Sequence, residues 1–314
     1  LPSLILEILD GKKPANTQGV ISINDSESWE ANFIKGQLPH EMDKVGFPRY
    51  EWTDMNLYKG GEIPTMGSRG CSWSRCRFCS EAWFFRQRSA TNMADEMQYW
   101  VEKGFNSFVY GDAMLSGDVP TFMKLCDEIH ARGLKVKFRG QIHINKHCTY
   151  EFFSKMKNAG FNHARIGVDA WSNNTLRVQN KGYTTAKLKE VLRFCSELGI
   201  TTLVNLVLGV PGETEEDIDE CIANMRECKD LITHIENINM LMLSHGSEFY
   251  HNPEKYGIKF RGKKEDIYNV NPAFIPKNLW YTENPYIDAD VRLTRMKRIY
   301  EAIESFGVPV SNYV

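Results

Sequence analysis

The chain has 314 residues, of which 42% are hydrophobic, and its 38 basic and 40 acidic side chains leave a net charge of −2. Binding to nucleic acid through bulk charge needs a basic excess or stripe, so this balance excludes that class of protein. No run of about 18 apolar residues occurs, so the sequence predicts no membrane-spanning helix. The length suffices for one large α/β domain with appendages, or for two smaller domains.

The eight cysteines do not suggest a disulfide framework. Five are far apart, and several of these fall on apolar helix faces, so we interpret them as core thiols: Cys126, Cys148, Cys195, Cys221 and Cys228. This usage predicts a reducing compartment, the cytoplasm. The first residues lack an initiator Met and a basic segment, so we expect an internal piece of a longer polypeptide and not a signal peptide.

The predicted elements begin with the end of a helix in residues 1–12, which Gly11 stops. Turn residues dominate 13–64, and a short strand is predicted there at 19–23. Six strands are then predicted, at 64–67, 106–110, 134–139, 163–168, 201–208 and 235–243. Apolar periodicity and capping residues predict helices at 91–103, from Asp118 to Gly133, from Thr149 to Gly160, at 185–198, after Thr214 and at 288–306.

The spacing of these strands indicates a repeated unit. Strand starts near 106, 134, 162, 201 and 234 are separated by 28, 28, 39 and 33 residues, which is the length of a βα unit. Strand–helix alternation predicts a parallel sheet covered by helices. The pattern leaves open whether the sheet is doubly wound or curled into a partial barrel. In either case, chemistry is expected at the carboxyl ends of the strands.

Three cysteines, Cys71, Cys76 and Cys79, follow the first predicted strand in the pattern C-x4-C-x2-C. Three thiolates can hold three irons of a cubane iron–sulfur cluster and leave the fourth iron open to a small molecule. Three core thiols and a structural zinc site are the alternatives. The surrounding Ser, Arg and Trp residues are unlike a core strand, and the histidines lack the spacing of a zinc motif.

This segment resembles the radical S-adenosylmethionine (SAM) superfamily, whose usual pattern is C-x3-C-x2-C with an aromatic residue before the last cysteine. Phe78 takes the aromatic position, and the first gap is one residue longer here. Two further segments carry the resemblance, Leu208–Thr214 with the sequence LGVPGET and Lys181–Thr184 with the sequence KGYT. The resemblance implies a partial (β/α)6 TIM-like barrel, with an N-terminal linker and a C-terminal helical extension.

The resemblance also implies cofactors and the residues that hold them. It implies a [4Fe–4S] cluster on Cys71, Cys76 and Cys79, and SAM as the ligand of the open iron. Gly111 and Asp112 stand where the family often has a glycine–glutamate pair that receives the methionine amino group of SAM. The other expected cofactor contacts are Phe78 in the cysteine motif, Arg139 for a carboxylate or else facing solvent, Asp169 for the ribose or methionine portion, and Leu208 and Gly209 beside the adenine.

The residues on either side of the predicted radical SAM core indicate the subfamily. Residues 1–63 resemble the connector that follows a cobalamin-binding domain, so three regions are expected: linker or domain tail at 1–63, radical SAM core at 64–245 and C-terminal extension at 246–314. Cobalamin stays open as a third cofactor. The leading hypothesis is a cobalamin-dependent methyltransferase acting on an unreactive centre, with an unidentified substrate and an external electron donor such as flavodoxin or ferredoxin. The alternatives are a cobalamin-independent radical SAM oxidoreductase or mutase, and a zinc-binding scaffold without catalysis.

Overall fold

The computed structural model describes residues 2–11, 41–50, 52–54, 57, 61–81, 84–270 and 273–311. The chain divides into two compact units, Leu1–Val45 and Gly46–Val314. In the first unit, helix α1 (Pro2–Leu9) ends just before Gly11, which has a φ of 72°, as the sequence predicts. A 3-10 helix spans Met42–Val45. The strand predicted at 19–23 lies outside the described residues.

The second unit contains most of the regular structure. Its strands are β1 (Glu62–Thr65), β2 (Ser68–Arg69), β3 (Arg86–Gln87), β4 (Ser107–Tyr110), β5 (Lys137–Ile142), β6 (Phe161–Asp169), β7 (Thr201–Leu208), β8 (His234–Met240), β9 (Leu243–Ser244), β10 (Ile258–Phe260), β11 (Phe274–Ile275), β12 (Trp280–Glu283) and β13 (Tyr286–Ile287). Its helices are α2 (Ala90–Glu102), α3 (Val119–Ala131), α4 (Tyr150–Asn158), α5 (Asn173–Gln179), α6 (Thr185–Glu197), α7 (Glu215–Glu227), α8 (Glu248–His251), α9 (Lys264–Val270) and α10 (Ala289–Phe306).

Six parallel strands form the main sheet, in the order β1-β4-β5-β6-β7-β8. This sheet with its covering helices is the expected partial (β/α)6 TIM-like barrel. Strand β5 begins three residues later than predicted, because the amide of Leu134 donates to the carbonyl of Ile129 and so belongs to the end of α3. Side-chain caps start the helices as predicted, and Thr214 and Asp217 form a reciprocal capping box at α7.

The two faces of the sheet differ in character. On β7, alternate residues Thr202, Val204, Leu206 and Leu208 are buried against the helices. The residues between them face the other side and are partly exposed, in line with the period of a strand. An open cleft of about 620 Å³ lies on that side, and its lining includes the polar side chains Arg139, Gln141, His163, Arg165 and Glu236. The five separate cysteines are buried, which confirms their interpretation as core thiols.

The region after β8 contains more than the predicted helix at 288–306, which is α10. Strands β10, β12 and β13 form an antiparallel sheet, and β9 pairs with β11. A second hydrophobic cluster, around Phe249 and Trp280, holds these elements together. None of the helices in the described part of the chain combines the length and apolarity that a bilayer crossing requires.

Candidate active site

The cysteine loop, residues 70–81, leaves the carboxyl end of β1 and is closed at its base. Strands β2 and β3 pair across that base, with Ser68 opposite Gln87. Arg88 completes the closure: its amide donates to the carbonyl of Gly67 at 2.8 Å, and its guanidinium donates to the carbonyl of Met66 at 3.0 Å. Arg88 is itself buried against the carboxylate of Glu96. The loop therefore starts and ends at one fixed point above β1.

The three thiols of this loop differ in exposure. Cys71 and Cys76 are half-buried, and Cys79 is more exposed. Desolvation raises the pKa of Cys76 to about 11 and also raises that of Cys79, and in both cases ionised neighbouring cysteines add to the rise. Thiolates are the ligands of iron–sulfur clusters, and bound metal overcomes such a rise by deprotonating the thiol. Three thiols within nine residues thus fit a cluster by the identity of their donor atoms.

No group of three or more His, Cys, Asp and Glu side chains within the described ranges is arranged to hold a metal ion. The fit of the cysteine loop to a cluster therefore stands on the identity of its donors.

A short segment at the end of α5, residues 179–182, holds the far side of the cysteine loop, and we call it the docking segment. The indole of Trp73 donates to the carbonyl of Asn180 at 3.0 Å, and the amide of Arg77 donates to the carbonyl of Gln179 at 3.0 Å. Gly182 has a φ of 76°, and a Cβ there would lie 2.2 Å from the Trp73 ring. Close packing against glycine therefore fixes where Trp73, and with it the loop, can lie.

Asp169 ends β6, and its carboxylate is held by two side chains. Lys181 of the docking segment contacts one carboxylate oxygen at 2.5 Å, and the amide of Asn205 on β7 donates to the other at 2.8 Å. Burial alone lowers the pKa of Lys181, but the Asp169 carboxylate reverses this, and the net pKa is raised. The Lys181 ammonium also lies 5.8 Å from the ring centroid of Phe78, so the residue predicted to bind cofactor is next to this pair.

Asp112 follows β4 and points back to the base of the cysteine loop. One carboxylate oxygen accepts from the amide of Gly67 at 2.9 Å, and the other accepts from the hydroxyl of Ser68. Burial raises the pKa of Asp112, against the lowering effect of those hydrogen bonds. Gly111, just before it, donates to the carbonyl of Thr65 at 2.9 Å. The contact of Gly111 and Asp112 with cofactor stays a prediction.

Arg139 has a protein partner. Its guanidinium contacts Glu62 through two hydrogen bonds, of 2.9 and 2.6 Å, on the open face of the sheet. From the sequence, Arg139 was expected either to bind a carboxylate of the cofactor or to face solvent. Its bidentate contact with the carboxylate of Glu62 on β1 was not predicted. The contact raises the pKa of Arg139.

The Leu208–Gly209 strand end is packed against the C-terminal helix. Leu208 is buried, and the amide of Gly209 donates to the carboxylate of Glu213 at 2.7 Å. The carbonyl of Gly209 accepts from the guanidinium of Arg292 on α10 at 3.1 Å. Burial raises the pKa of Glu213 to about 7, although Arg295 lies 3.0 Å from it and acts in the opposite direction.

The family model for the Radical SAM superfamily matches residues 66–225, just over half of the chain. The chain belongs to the radical SAM superfamily. Membership gives it two cofactors, a [4Fe–4S] cluster and SAM, and makes it an enzyme. It also removes the zinc-binding scaffold from the alternatives. The matched residues run from the end of β1 through most of α7.

Curated relatives and solved structures of other proteins resemble this radical SAM chain. Over 224 residues it is 28% identical to an anaerobic magnesium-protoporphyrin IX monomethyl ester cyclase of Cereibacter sphaeroides, covering 68% of this chain and 34% of that relative. It resembles the radical SAM methyltransferase TsrM of Kitasatospora setae, solved with cobalamin and a [4Fe–4S] cluster bound, with a TM-score of 0.62 and 20% identity, over 83% of this chain and 54% of that one. It also resembles the cobalamin-dependent SAM radical enzyme OxsB, solved with aqua-cobalamin and SAM, with a TM-score of 0.67 and 15% identity, over 95% of this chain and 48% of that one.

The chain thus spans about a third of that curated relative and about half of each solved protein.

Three residues around the cysteine loop and Asp169 were not assigned a role from the sequence. Asn205 holds Asp169, and its place on the open face of β7 follows from strand alternation. Trp73 stacks on His143 with ring centroids 5.1 Å apart. Lys181 lies within the recognised KGYT segment, but nothing in that segment indicates that its partner is Asp169.

Proposed function

We propose that this chain is the SAM-cleaving core of a cobalamin-dependent methyltransferase, with Cys71, Cys76 and Cys79 as the ligands of the [4Fe–4S] cluster. One observation supports this most. The cysteine loop, Asp169 and Leu208 all lie at the carboxyl ends of parallel strands, β1, β6 and β7, which meet at one edge of the sheet. Sites in barrels of parallel strands are built at that edge.

The chemistry comes from the cofactors and the positioning from the chain. Held by Cys71, Cys76 and Cys79, a [4Fe–4S] cluster would supply, when reduced, the electron for cleavage of a carbon–sulfur bond of SAM, with methionine and a 5′-deoxyadenosyl radical as products. Asp169 and Asp112 are the carboxylates proposed to bind the hydroxyl and amino groups of SAM. The two carboxylate oxygens of Asp169 accept one protein hydrogen bond each. The carboxylate of Asp112 accepts from the amide of Gly67 and from the hydroxyl and amide of Ser68. Because an ionised carboxylate has about four acceptor positions, each of the two keeps at least one for a ligand.

The proposal divides the chain into three regions: a linker or tail of a cobalamin-binding domain at 1–63, the SAM-cleaving core at 64–245 and an extension at 246–314. Support for cobalamin comes from TsrM and OxsB, whose structures contain it and whose folds this chain shares. The substrate is an unreactive centre that accepts a methyl group, and the electron donor is a small external redox protein such as flavodoxin or ferredoxin.

A second candidate keeps the same core without methyl transfer, namely a radical SAM oxidoreductase or mutase. The relative that favours it is the cyclase of Cereibacter sphaeroides, whose name states ring closure and not methylation.

The first experiment tests SAM cleavage. The protein is loaded with iron and sulfide without oxygen and reduced with dithionite in the presence of SAM, and 5′-deoxyadenosine is measured. We expect product from the unaltered chain, none from Cys71→Ala, Cys76→Ala or Cys79→Ala, and product from Cys148→Ala, which removes a buried core thiol. Product that persists in the three loop variants would contradict the ligand assignment.

The second experiment separates the two candidates. The full-length polypeptide is incubated with hydroxocobalamin, freed of excess by gel filtration and examined by absorbance. Retention of about one equivalent is the expected result for a cobalamin-dependent methyltransferase. Active SAM cleavage with no retained cobalamin would favour the oxidoreductase or mutase.

A further inference from the structure

We propose that Lys181 is a positioning residue: it orients Asp169 toward SAM and holds a fixed positive charge beside the cluster. One side chain would thus couple the SAM-binding strand end to the cluster loop. The inference rests on the proposed function, since it takes the cysteine loop as the cluster site and Asp169 as a SAM contact.

The position of Lys181 carries this inference. Its side chain is only 4% exposed, so its charge is held in a low-dielectric setting where it acts strongly on its neighbours. It belongs to the docking segment, in which the carbonyls of the two residues just before it, Gln179 and Asn180, accept hydrogen bonds from Arg77 and Trp73 of the cysteine loop. Its ammonium lies 5.8 Å from the centroid of Phe78, which stands in the chain between Cys76 and Cys79. A buried cation therefore lies directly against the loop that carries the ligands.

The backbone of Asp169 shows why this carboxylate needs support. Asp169 has a φ of 60°, in the left-handed region that side-chain-bearing residues seldom adopt, and such residues collect at functional sites. Three groups hold it there. Lys181 and Asn205 bind its two carboxylate oxygens, and the side-chain amide of Gln179 donates to its backbone carbonyl at 3.3 Å. Lys181 supplies the charged member of this set.

The sign of the electrostatic effect is fixed by charge alone. Reduction adds an electron to the cluster, and a nearby cation favours that extra negative charge. Loss of the Lys181 charge leaves Asp169 as an uncompensated anion in the same place, so the cluster becomes harder to reduce. Removal of both charges restores neutrality. A merely structural defect would not be repaired by a second substitution at Asp169.

The test compares Lys181→Met with the double variant Asp169→Asn/Lys181→Met. The midpoint potential of the cluster is measured by redox titration followed by electron paramagnetic resonance at pH 8, and the dissociation constant of SAM is measured by equilibrium dialysis. We expect Lys181→Met to shift the potential to a more negative value and to weaken SAM binding about tenfold, the scale of a lost hydrogen bond to a charged group. The double variant returns the potential toward that of the unaltered protein but still binds SAM weakly, because the carboxylate is gone.

Lys189→Met is the matched control. Lys189 pairs with Glu227 at the same 2.5 Å distance, with its side chain 17% exposed, on α6. It should change neither measurement. An unchanged potential and unchanged SAM affinity in Lys181→Met, or a double variant whose potential moves further from that of the unaltered protein, would overturn the inference.

Failure of the inference is distinguishable from failure of the proposed function. An unaltered protein that takes up no cluster and cleaves no SAM would defeat the proposed function itself. Should Lys181→Met fold poorly with its unpaired Asp169, the double variant carries no buried charge at the pair and decides the question alone: wild-type affinity for SAM would count against the role of this pair.

Discussion

The Cβ position of Gly209 lies 2.2 Å from Cγ of Arg292, so the end of β7 and helix α10 fit together only when residue 209 has no side chain. Arg292 is fully buried, and its guanidinium carbon lies 3.5 Å from the ring centroid of Trp280. Its guanidinium donates to the carbonyls of Gly209 and Lys277. A strand end proposed to bind cofactor is therefore held from behind by the C-terminal helix.

Gly209→Ala should lower the free energy of unfolding by more than the cost of placing alanine at the left-handed backbone angle of residue 209. Gly209 has a φ of 72°, and a left-handed residue with a side chain costs about 1–2 kcal/mol. Displacing the packed Arg292 adds about 1–3 kcal/mol. Denaturant unfolding measures the sum. Gly307→Ala is the control, since Gly307 has a φ of 74° and open space around its Cβ position. Equal losses in the two variants would contradict the clash.

Arg88→Met should cost about 3–5 kcal/mol of unfolding free energy, because it leaves the buried carboxylate of Glu96 without its cation. Arg88 and Glu96 are both almost fully buried, and Thr65 donates to the same carboxylate at 2.7 Å. The double variant Arg88→Met/Glu96→Gln should recover part of this loss in the same denaturant titration. A double variant as unstable as the single one would show that the guanidinium contact with Met66 matters more than the ion pair.

Gly182→Ala should lower the capacity of the cysteine loop to hold a cluster. A Cβ at residue 182 would lie 2.2 Å from the Trp73 ring, and Trp73 is fixed by its hydrogen bond to Asn180. The ring has to move, and the loop moves with it. Iron and sulfide content after anaerobic loading gives the measurement. Gly133→Ala, at a φ of 64° with nothing near its Cβ position, should load normally.

His143 should make the protein less stable in acid. Burial first, and then the charge of Lys181, lowers the pKa of His143 from 6.5 to about 3. The folded state therefore binds fewer protons than the unfolded state between these values. Above pH 6.5, His143 is neutral in both states and its contribution to the free energy of unfolding is at its maximum. Below that pH, this contribution falls by up to about 1.4 kcal/mol per pH unit toward pH 3. In cluster-free protein, His143→Phe should lose this slope, while His147→Ala, an exposed residue of the same loop, should keep it. Parallel pH curves for His143→Phe and the unaltered protein would refute the assignment.

The sequence by itself determined most of the fold. Its apolar periods, capping residues and helix-stopping glycines depend only on near neighbours in the chain, so six strands and their helices could be predicted with small errors at the ends. The cysteine loop was equally readable, because its three cysteines lie within nine residues. The antiparallel strands after β8 were missed, since their short segments carry too little alternation to be told from irregular chain.

Only the tertiary structure decided which partners the charged side chains have. Arg139 pairs with Glu62 across 77 residues, and Arg292 reaches Gly209 across 83. Lys181 and Asp169 are closer in sequence, but their contact depends on the docking segment turning back over the end of β6. Such pairs depend on the order and register of the strands and on the conformation of the loops, which local sequence patterns do not specify. The chemistry of the side chains identifies candidate residues one at a time. The parallel sheet is what brings the strand ends that carry them together into one candidate site.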